Sequence, residues 1–463
     1  MSTLPSPSGL ALQNRLQWVF DPVSYLERAQ RECPDIFQAN GLGFGADKMV
    51  MTNHPQALQQ LLSNERRHFI APGRINAILR PLLGDTSVIM IEGDRHRKRR
   101  QLLLPNFHGE RLKAYGDLIV KITHQALASY QPGQAFLARN LTQAISLQVI
   151  FESVFGLAET AKYNRLKQLL AGMADLFNSP LTSAFLFFPS LQQDLGAWSP
   201  WGRFVRRRQE ANTLLFAEIA ERRANPQPER TDILSLLMSA RDEQGQPMTD
   251  QELRDELMTL LFAGHETTAT AMAWALYWLH AKPEISAKLQ AELTALGPNS
   301  DPMEILRLPY LTALGNETLR IYPVAMLTFP RQAITDTELL GQTIPKDTMV
   351  MGSIYQVHQR PDLYPDPKTF NPDRFLERQY SPYEFMPFGG GIRRCVGDAL
   401  AQFEMKLVLA TLMANYRFSL ADSRPEKAQR RGVTLAPARG VPMIYQGPQS
   451  PVTPNYELQS LAS

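Results

Sequence analysis

The sequence predicts a mainly helical, α+β chain: one large domain with small sheets. Three observations carry this. Apolar residues recur at three- and four-residue spacing through most of the chain. Strand signals are few and short. Finally, the 463 residues show no internal repeat and no low-complexity linker, and the 34 prolines are spread throughout. A length prior of roughly two to four domains therefore yields to a single domain spanning 1–463.

The chain opens on MSTLPSPSGLALQNRLQWVF. This is polar, broken by Pro and Ser, and lacks the continuous apolar stretch of a secretory leader. Residues 1–10 are expected to be loosely ordered, as is the tail 446–463. CPDIFQAN is a poor buried strand. The GLGFGA that follows, 41–46, has the spelling of a dinucleotide loop, but no helix opens after it; a glycine turn between strands is the expectation. ADKMVMTNHP reads as a strand entering a turn, and HPQALQQLLSNE as a helix.

Helices are then expected from about Gly109 to Ala128 and over LTQAISLQVIFESVFG, KYNRLKQLLAGMADLF and PWGRFVRRRQEANTLLFAEIAERR. The next, MTDQELRDELMTLLFAGHETTATAMAWALYWLHAK, can be capped by Thr249 or Asp250 and is ended by Pro283. At about thirty residues it is unusually long for a globular protein. TELLGQTIPKDTMVMGS and VTLAPARGVPMIY supply the later strands.

Bulk composition excludes several classes. Net charge is only +3, too small for a general nucleic-acid binder. Two cysteines, Cys33 and Cys395, exclude a disulfide scaffold and Cys-rich zinc modules; they fit a reducing, cytoplasmic setting. The apolar run Leu257 to Leu279 is long enough to raise a membrane span. His265 and Glu266 at its centre would be costly in lipid, so a helix through a soluble core is expected, with no transmembrane anchor.

GHETTA, 264–269, begins like the zinc-protease pattern H-E-x-x-H, but Ala269 stands where the second histidine must be. An acid, hydroxyls and a glycine in an apolar helix nonetheless break local rules, which points to a site. The bland alternative is a kinked helix with internally bonded polar groups. ETLR sets Glu317 and Arg320 one turn apart, able to pair. FNPDRF by itself is a loop. FGGGIRRCVG, 388–397, is the strongest signal. Three glycines permit close approach of backbone to another body. Cys395, beside arginines at a helix start, is expected to have a lowered thiol pKa. It could be a nucleophile, a redox sensor, a structural cysteine or a metal ligand; the glycines suit a thiolate held beside a flat, bulky cofactor.

Together these motifs resemble the cytochrome P450 superfamily. FGGGIRRCVG is similar to its haem-binding signature F-x-x-G-x-R-x-C-x-G, AGHET to its oxygen-activating groove, and ETLRIYP to its E-x-x-R helix. FNPDRF is similar to the segment whose arginine joins that pair. Their order is the family's, and the likeness extends from about residue 34 to 445.

The resemblance implies a helix-rich domain around a buried haem b. Cys395 would be the axial thiolate, which favours O–O cleavage. Phe388 would pack near the sulfur, with Gly397 closing the signature. Arg393, Arg331, His96 and Arg100 would face haem propionates. Ala263 and Gly264 would leave space over the iron. Glu266 and Thr267 would be the acid–alcohol pair that handles protons. Glu317, Arg320 and Arg374 would be a structural triad.

The distal pocket would draw on Leu260, Ala263, Thr267, Val324, Met326, Leu327, Thr434 and Leu435, with segments 69–83 and 185–191. Because these are mostly apolar, the substrate is expected to be hydrophobic: a long-chain fatty acid or terpene-like hydrocarbon, as in soluble bacterial, including cyanobacterial, members. Arg74 or Arg80 could anchor a carboxylate at its mouth.

A monooxygenase of this kind draws electrons from NAD(P)H through a reductase and a ferredoxin or flavodoxin, and a monomer is expected. The alternatives are a hydroperoxide isomerase or dehydratase on the same fold, and a haem sensor without turnover. The presence of both Glu266 and Thr267 favours oxygen activation.

The most charge-dense stretch is RHRKRR, 95–100. On a helix, His96 and Arg100 share a face with Leu103 and Phe107 and are expected to point inward. Arg95, Arg97, Lys98 and Arg99 are expected to face outward, toward an acidic electron donor.

Overall fold

The structure is a computed structural model. It describes residues 4–449 apart from 40, 43–48, 66, 108, 157–159, 178 and 298–299. Its axis is the predicted long helix, Asp250–Ala281. Thr249 and Glu252 form a reciprocal capping box, Thr249 N–H donating to Glu252 at 3.0 Å and Glu252 N–H to Thr249 Oγ at 3.2 Å. Pro283, which cannot continue a helix, opens the next one, Pro283–Leu296. The central helix is buried on nearly every side. Helices Ala138–Phe155, Pro200–Ala224, Pro309–Ile321 and Asp398–Asn415 pack around it.

The other predicted helices form at Pro55–Ser63, Glu110–Leu127 and Ala161–Ala174. The basic run lies on helix Gly93–Leu103. Two further helices, Ala11–Phe20 and Pro22–Glu32, precede the first strand; the second is clearly amphipathic, with Tyr25, Leu26 and Ala29 buried on one face. Residues expected to be loose are partly placed. Gln38 N–H donates to Pro5 O at 2.8 Å, and both Ser8 N–H and its hydroxyl donate to Glu32. At the other end, 446–448 belong to strand Pro442–Pro448; 1–3 and 450–463 lie outside the described residues.

The sheets are small. The largest has five strands, running from Ile36–Gln38 through Met49–Thr52, Met349–Gly352 and Arg331–Ala333 to Phe69–Ile70. Met49–Thr52 and Met349–Gly352 are parallel; their other pairings are antiparallel. The poor strand CPDIFQAN thus does pair, Ile36 opposite Thr52, as a short edge. Much of GLGFGA lies outside the described residues. Thr337–Leu339 and Gln342–Ile344 make a hairpin, turned by Leu340 and Gly341 at φ 52° and 73°. Ala428–Arg431 pairs with Thr434–Pro437, and Pro442–Pro448 lies between Ala135–Leu137 and Tyr416–Leu420.

Candidate functional site

The segment FGGGIRRCVG forms a compact loop ahead of helix Asp398–Asn415. Gly389 and Gly391 adopt φ of 67° and 66°, a region that favours glycine. A Cβ on Gly391 would also lie 2.6 Å from the Glu65 carboxylate. The loop closes on itself: Cys395 N–H donates to Phe388 O at 3.0 Å. Cys395 keeps accessible surface although its sulfur sits deep among protein atoms. It therefore opens into an internal space.

The expected lowering of its pKa is not what the protein environment produces. Desolvation pushes the thiol up. The Gly397 N–H, Arg100 and Arg394 oppose this, and Asp398 adds to it. Asp398 sits in the first turn and is gripped by Arg394 at 2.6 Å, so much of the helix-start advantage is already used. Phe388 and Gly397 are half-buried beside it.

Three arginines converge on His96, Arg100 from the next turn of the same helix and Arg331 and Arg393 from distant segments. Burial, then the fields of Arg393, Arg100 and Arg331, push its imidazole down to about 3. Arg393 donates to the carbonyls of Ala71, Val88 and Ile91 at 2.7–2.9 Å. Arg100 donates to Arg394 O. Arg331, fully buried, pairs with Glu65 and donates to Phe329 O and Gly390 O. Glu65 also accepts the Ile392 N–H at 2.7 Å. It is the missed residue of this cluster, far away in sequence and with no local mark. Three guanidiniums with one directly paired carboxylate leave an excess of buried positive charge. Such a donor set suits a dianionic ligand.

On the central helix the groove residues separate by face. Ala263 is exposed and Gly264, Glu266 and Thr267 are half-buried, in a stretch of helix that is otherwise buried from Leu253 to Tyr277. Ala263 fits the expected open space, but Gly264 does not. A Cβ there would meet Ile150 Cδ1 at 2.9 Å, so this glycine lets the central helix approach Ala138–Phe155. Thr267 Oγ donates to Ala263 O at 2.7 Å. The helix runs unbroken from Asp250 to Ala281, with the Thr267 hydroxyl bonded inside it.

Glu266 turns the other way. It pairs with Arg139 and Arg431 and accepts from Gln143 at 3.2 Å. These partners lie more than a hundred residues away and no spacing rule could have found them. His265 is fully buried, its Nδ1 2.5 Å from Leu261 O and its Nε2 without a partner among the described residues.

Glu317, Arg320 and Arg374 come together away from solvent. Arg320 holds Glu317 through two bonds of 2.6 and 2.8 Å, and Arg374 reaches it at 3.3 Å. Remaining Arg320 donors go to His358 O at 2.8 Å and Pro367 O at 2.9 Å.

The expected pocket residues divide. Leu260 sits at 9% exposure beside the open Ala263. Met326 and Leu435, at 2% and 0%, are sealed into the core and cannot line a pocket; strand-like alternation instead leaves Ala325 and Leu327 accessible. Val324 and Thr434 are also largely buried, at 8% and 7%. Val324 O accepts the Leu435 N–H at 3.0 Å, tying the two segments together. Arg74 donates to Gln332 at 2.6 Å and Arg80 pairs with Asp85 at 2.9 Å, so both already have surface partners.

The basic run also needs one correction. His96 turns inward and Arg95 and Arg97 outward, as expected. Arg99, however, is buried, bonded to Glu256 and Glu252 of the central helix at 2.7 Å each. Helix geometry placed it off the His96 face; only packing revealed a second inward face. Lys98 is partly covered, near Glu243 and Gln244.

A thiol open to an internal space, an adjoining cluster with surplus cations, and a helix groove kept clear by Ala263 fit an iron porphyrin with two carboxylates. The comparisons agree. A family model described as Cytochrome P450 matches residues 7–442. The chain is 35% identical over 446 residues to a putative cytochrome P450 135B1 of Mycobacterium tuberculosis, covering 95% of this chain and 91% of that protein. It is 32% identical to a putative cytochrome P450 138 of the same species, with 94% of each covered. A solved structure described as retinoic acid bound cyanobacterial CYP120A1 superposes with a TM-score of 0.83 at 25% identity, covering 96% of this chain and 100% of that one. Among the described residues no helix is long and apolar enough to cross a membrane. On the signature, the fold and these relatives, the chain belongs to the cytochrome P450 family of haem b monooxygenases.

Proposed function

We propose that this protein hydroxylates or epoxidises a long, apolar small molecule, a fatty acid or terpene-like hydrocarbon, with electrons delivered by a ferredoxin or flavodoxin. For hydroxylation the balance is R–H + O2 + two electrons + two protons giving R–OH + water. The reductant is NAD(P)H, acting through a separate reductase. When bound, the haem supplies dioxygen activation. The observation that carries the reading is the accessible Cys395 thiol beside a cation-rich cluster.

In this reading Cys395 Sγ is the iron ligand, deprotonated on coordination. Arg100, Arg331 and Arg393 hold the propionates, with His96 as a neutral donor. Phe388 shields the sulfur from water. Thr267 Oγ holds a proton at the groove by exchanging its bond to Ala263 O for one to bound water. Glu266 collects protons from the outer side, and its arginine clamp must loosen for it to pass them inward. Leu260, Ala263, Ala325 and Leu327 offer apolar surface to the substrate. The relative bound to retinoic acid supports a long apolar substrate ending in a carboxylate.

The test is a titration of the ferric haem spectrum with fatty acids from lauric to arachidonic and with terpenes, followed by turnover with donor proteins. A spectral shift and an oxygenated product are expected. Silence across both classes overturns the substrate. Turnover of a hydroperoxide without donors, and none with them, overturns oxygen insertion in favour of isomerisation or dehydration.

A further inference from the structure

Glu65 is held more elaborately than a counter-ion requires. It follows helix Pro55–Ser63 in the stretch SNERRH, which in sequence is an ordinary solvated helix end. Yet its side chain is only 5% exposed. The chain turns there, His68 N–H donating to Asn64 O at 3.1 Å, and the carboxylate reaches inward.

Its two oxygens serve two segments. Oε1 accepts from Arg331 Nε, and Oε2 accepts the Ile392 N–H at 2.7 Å. Arg331, fully buried, spends further donors on Phe329 O at 2.6 Å and Gly390 O at 3.0 Å. Of the five N–H donors a guanidinium carries in a rigid fork, three are taken by these bonds, leaving two. Glu65 therefore fixes which edge of the fork stays free.

The helix end that carries Glu65 also packs against the loop that carries Cys395. A Cβ on Gly390 would lie 2.8 Å from Leu62 Cδ1, and one on Gly391 would lie 2.6 Å from each Glu65 carboxylate oxygen. The loop's backbone is bonded to Glu65 at Ile392 and to Arg331 at Gly390. Three residues after Ile392, Cys395 N–H closes the loop on Phe388 O.

The other acid near this cluster differs. Glu92 accepts the Gly73 N–H at 2.9 Å and acts on Arg393, but it is exposed, so water and salt screen it. Glu65 acts on both Arg331 and Arg393 from inside the protein, where charge is screened far less.

We propose that Glu65 is a positioning residue for the haem: it orients Arg331 toward the propionates, pins the cysteine loop through Ile392, and by its buried charge lowers the reduction potential of the iron. The orienting role rests on the reading of Arg331 as a propionate holder. The effect on potential has a simple cause. Reduction of ferric iron adds an electron; a fixed anion in a poorly screened site opposes it, and an unpaired Arg331 favours it.

The test is redox titration of the haem-loaded protein, with haem transfer to an external acceptor and thermal melting measured alongside. Glu65→Gln keeps the side-chain size and one acceptor oxygen but loses the charge. It should shift the ferric–ferrous equilibrium toward the ferrous state on the order of tenfold, about 59 mV for a one-electron couple. Glu65→Asp keeps the charge and should titrate near the parent. Glu65→Ala loses the charge and both bonds, and should also lose part of the red-shifted Soret band of the reduced, carbon monoxide-treated protein. Arg331→Gln should move the potential the opposite way and speed haem transfer.

A Glu65 that only supports the fold would lower melting and speed haem transfer in the Gln variant without moving the potential, and that result overturns the proposal. If Glu65→Gln gives no folded protein because Arg331 is left unpaired, the double variant Glu65→Gln with Arg331→Gln takes its place. Its potential should lie above that of Arg331→Gln alone, and equality overturns the proposal. Haem transfer in Arg331→Gln reports the propionate reading separately. Unchanged transfer sinks that reading and the orienting role with it, whereas faster transfer beside an unmoved Glu65→Gln potential sinks the role of Glu65 alone.

Discussion

Two of the buried arginine clusters in this molecule, those around Glu317 and His96, differ in one respect. Around Glu317, two arginines meet one carboxylate, and Arg320 and Arg374 spend further donors on carbonyls of 358–369. Around His96, three arginines act on one imidazole and only Arg331 has a directly bonded carboxylate, Glu65. The first cluster is completed by its own loops and reads as architecture. The second holds more positive charge than its surroundings neutralise. Desolvation, then Arg331, pulls Arg393 down to about 10, a sign that a further anion would relieve the site. Buried arginines therefore do not declare their role by burial. Their unmatched charge does.

The largest effects should separate the clusters outright. Glu317→Ala leaves two buried guanidiniums without a counter-ion and should cost about 3–5 kcal/mol. The expected result is loss of soluble protein that added haem does not rescue, read by expression and thermal melting. Arg100→Gln instead should leave a folded protein whose haem transfers to an external acceptor about tenfold faster, as expected for about 1.4 kcal/mol lost. If Arg100→Gln unfolds the chain, or haem rescues Glu317→Ala, the distinction between the clusters fails. Cys395→Ser should keep both clusters and abolish the red-shifted Soret band of the reduced, carbon monoxide-treated protein.

A converse case sharpens the comparison. Glu404, 3% exposed, has no arginine partner among the described residues, and one of its oxygens is unbonded. Burial, only partly opposed by Ser146, pushes its carboxyl up to about 8 from a usual 4.5. A folded pKa above the unfolded one means the native state holds the proton more tightly. Stability is then greatest below about 4.5 and is lost as pH rises through about 8, by an amount on the order of a few kcal/mol. Glu404→Gln should remove this slope, melting near the parent temperature in acid and above it at alkaline pH. Equal slopes would place another group in control.

The smallest effect concerns the basic run. Arg95→Glu with Arg97→Glu should slow reduction by an acidic donor at low salt, less so at high salt, with unchanged melting. Arg99→Glu should instead lower stability, because it breaks the buried pairs with Glu252 and Glu256. Reduction kinetics and melting, measured on the same variants, distinguish docking charge from structural charge within six residues.

By itself the sequence determined the long helix, since its cap, its apolar content and Pro283 are all local. It determined the main helices and the strands with clear alternation, because period is a property of neighbouring residues. It also marked the thiolate loop, where three glycines and a cysteine occur together. Short strands such as Phe69–Ile70 and Arg331–Ala333 have too few residues to show a period. Only the tertiary structure decided which arginines are paired, because Glu65 and Arg331 are 266 residues apart. Only it turned Arg99 inward, gave Gly264 to the packing against Ile150, and withdrew Met326 and Leu435 into the core. Local propensity and pattern act over one or two helical turns, whereas charge matching and side-chain packing act across space between segments that the chain brings together only on folding.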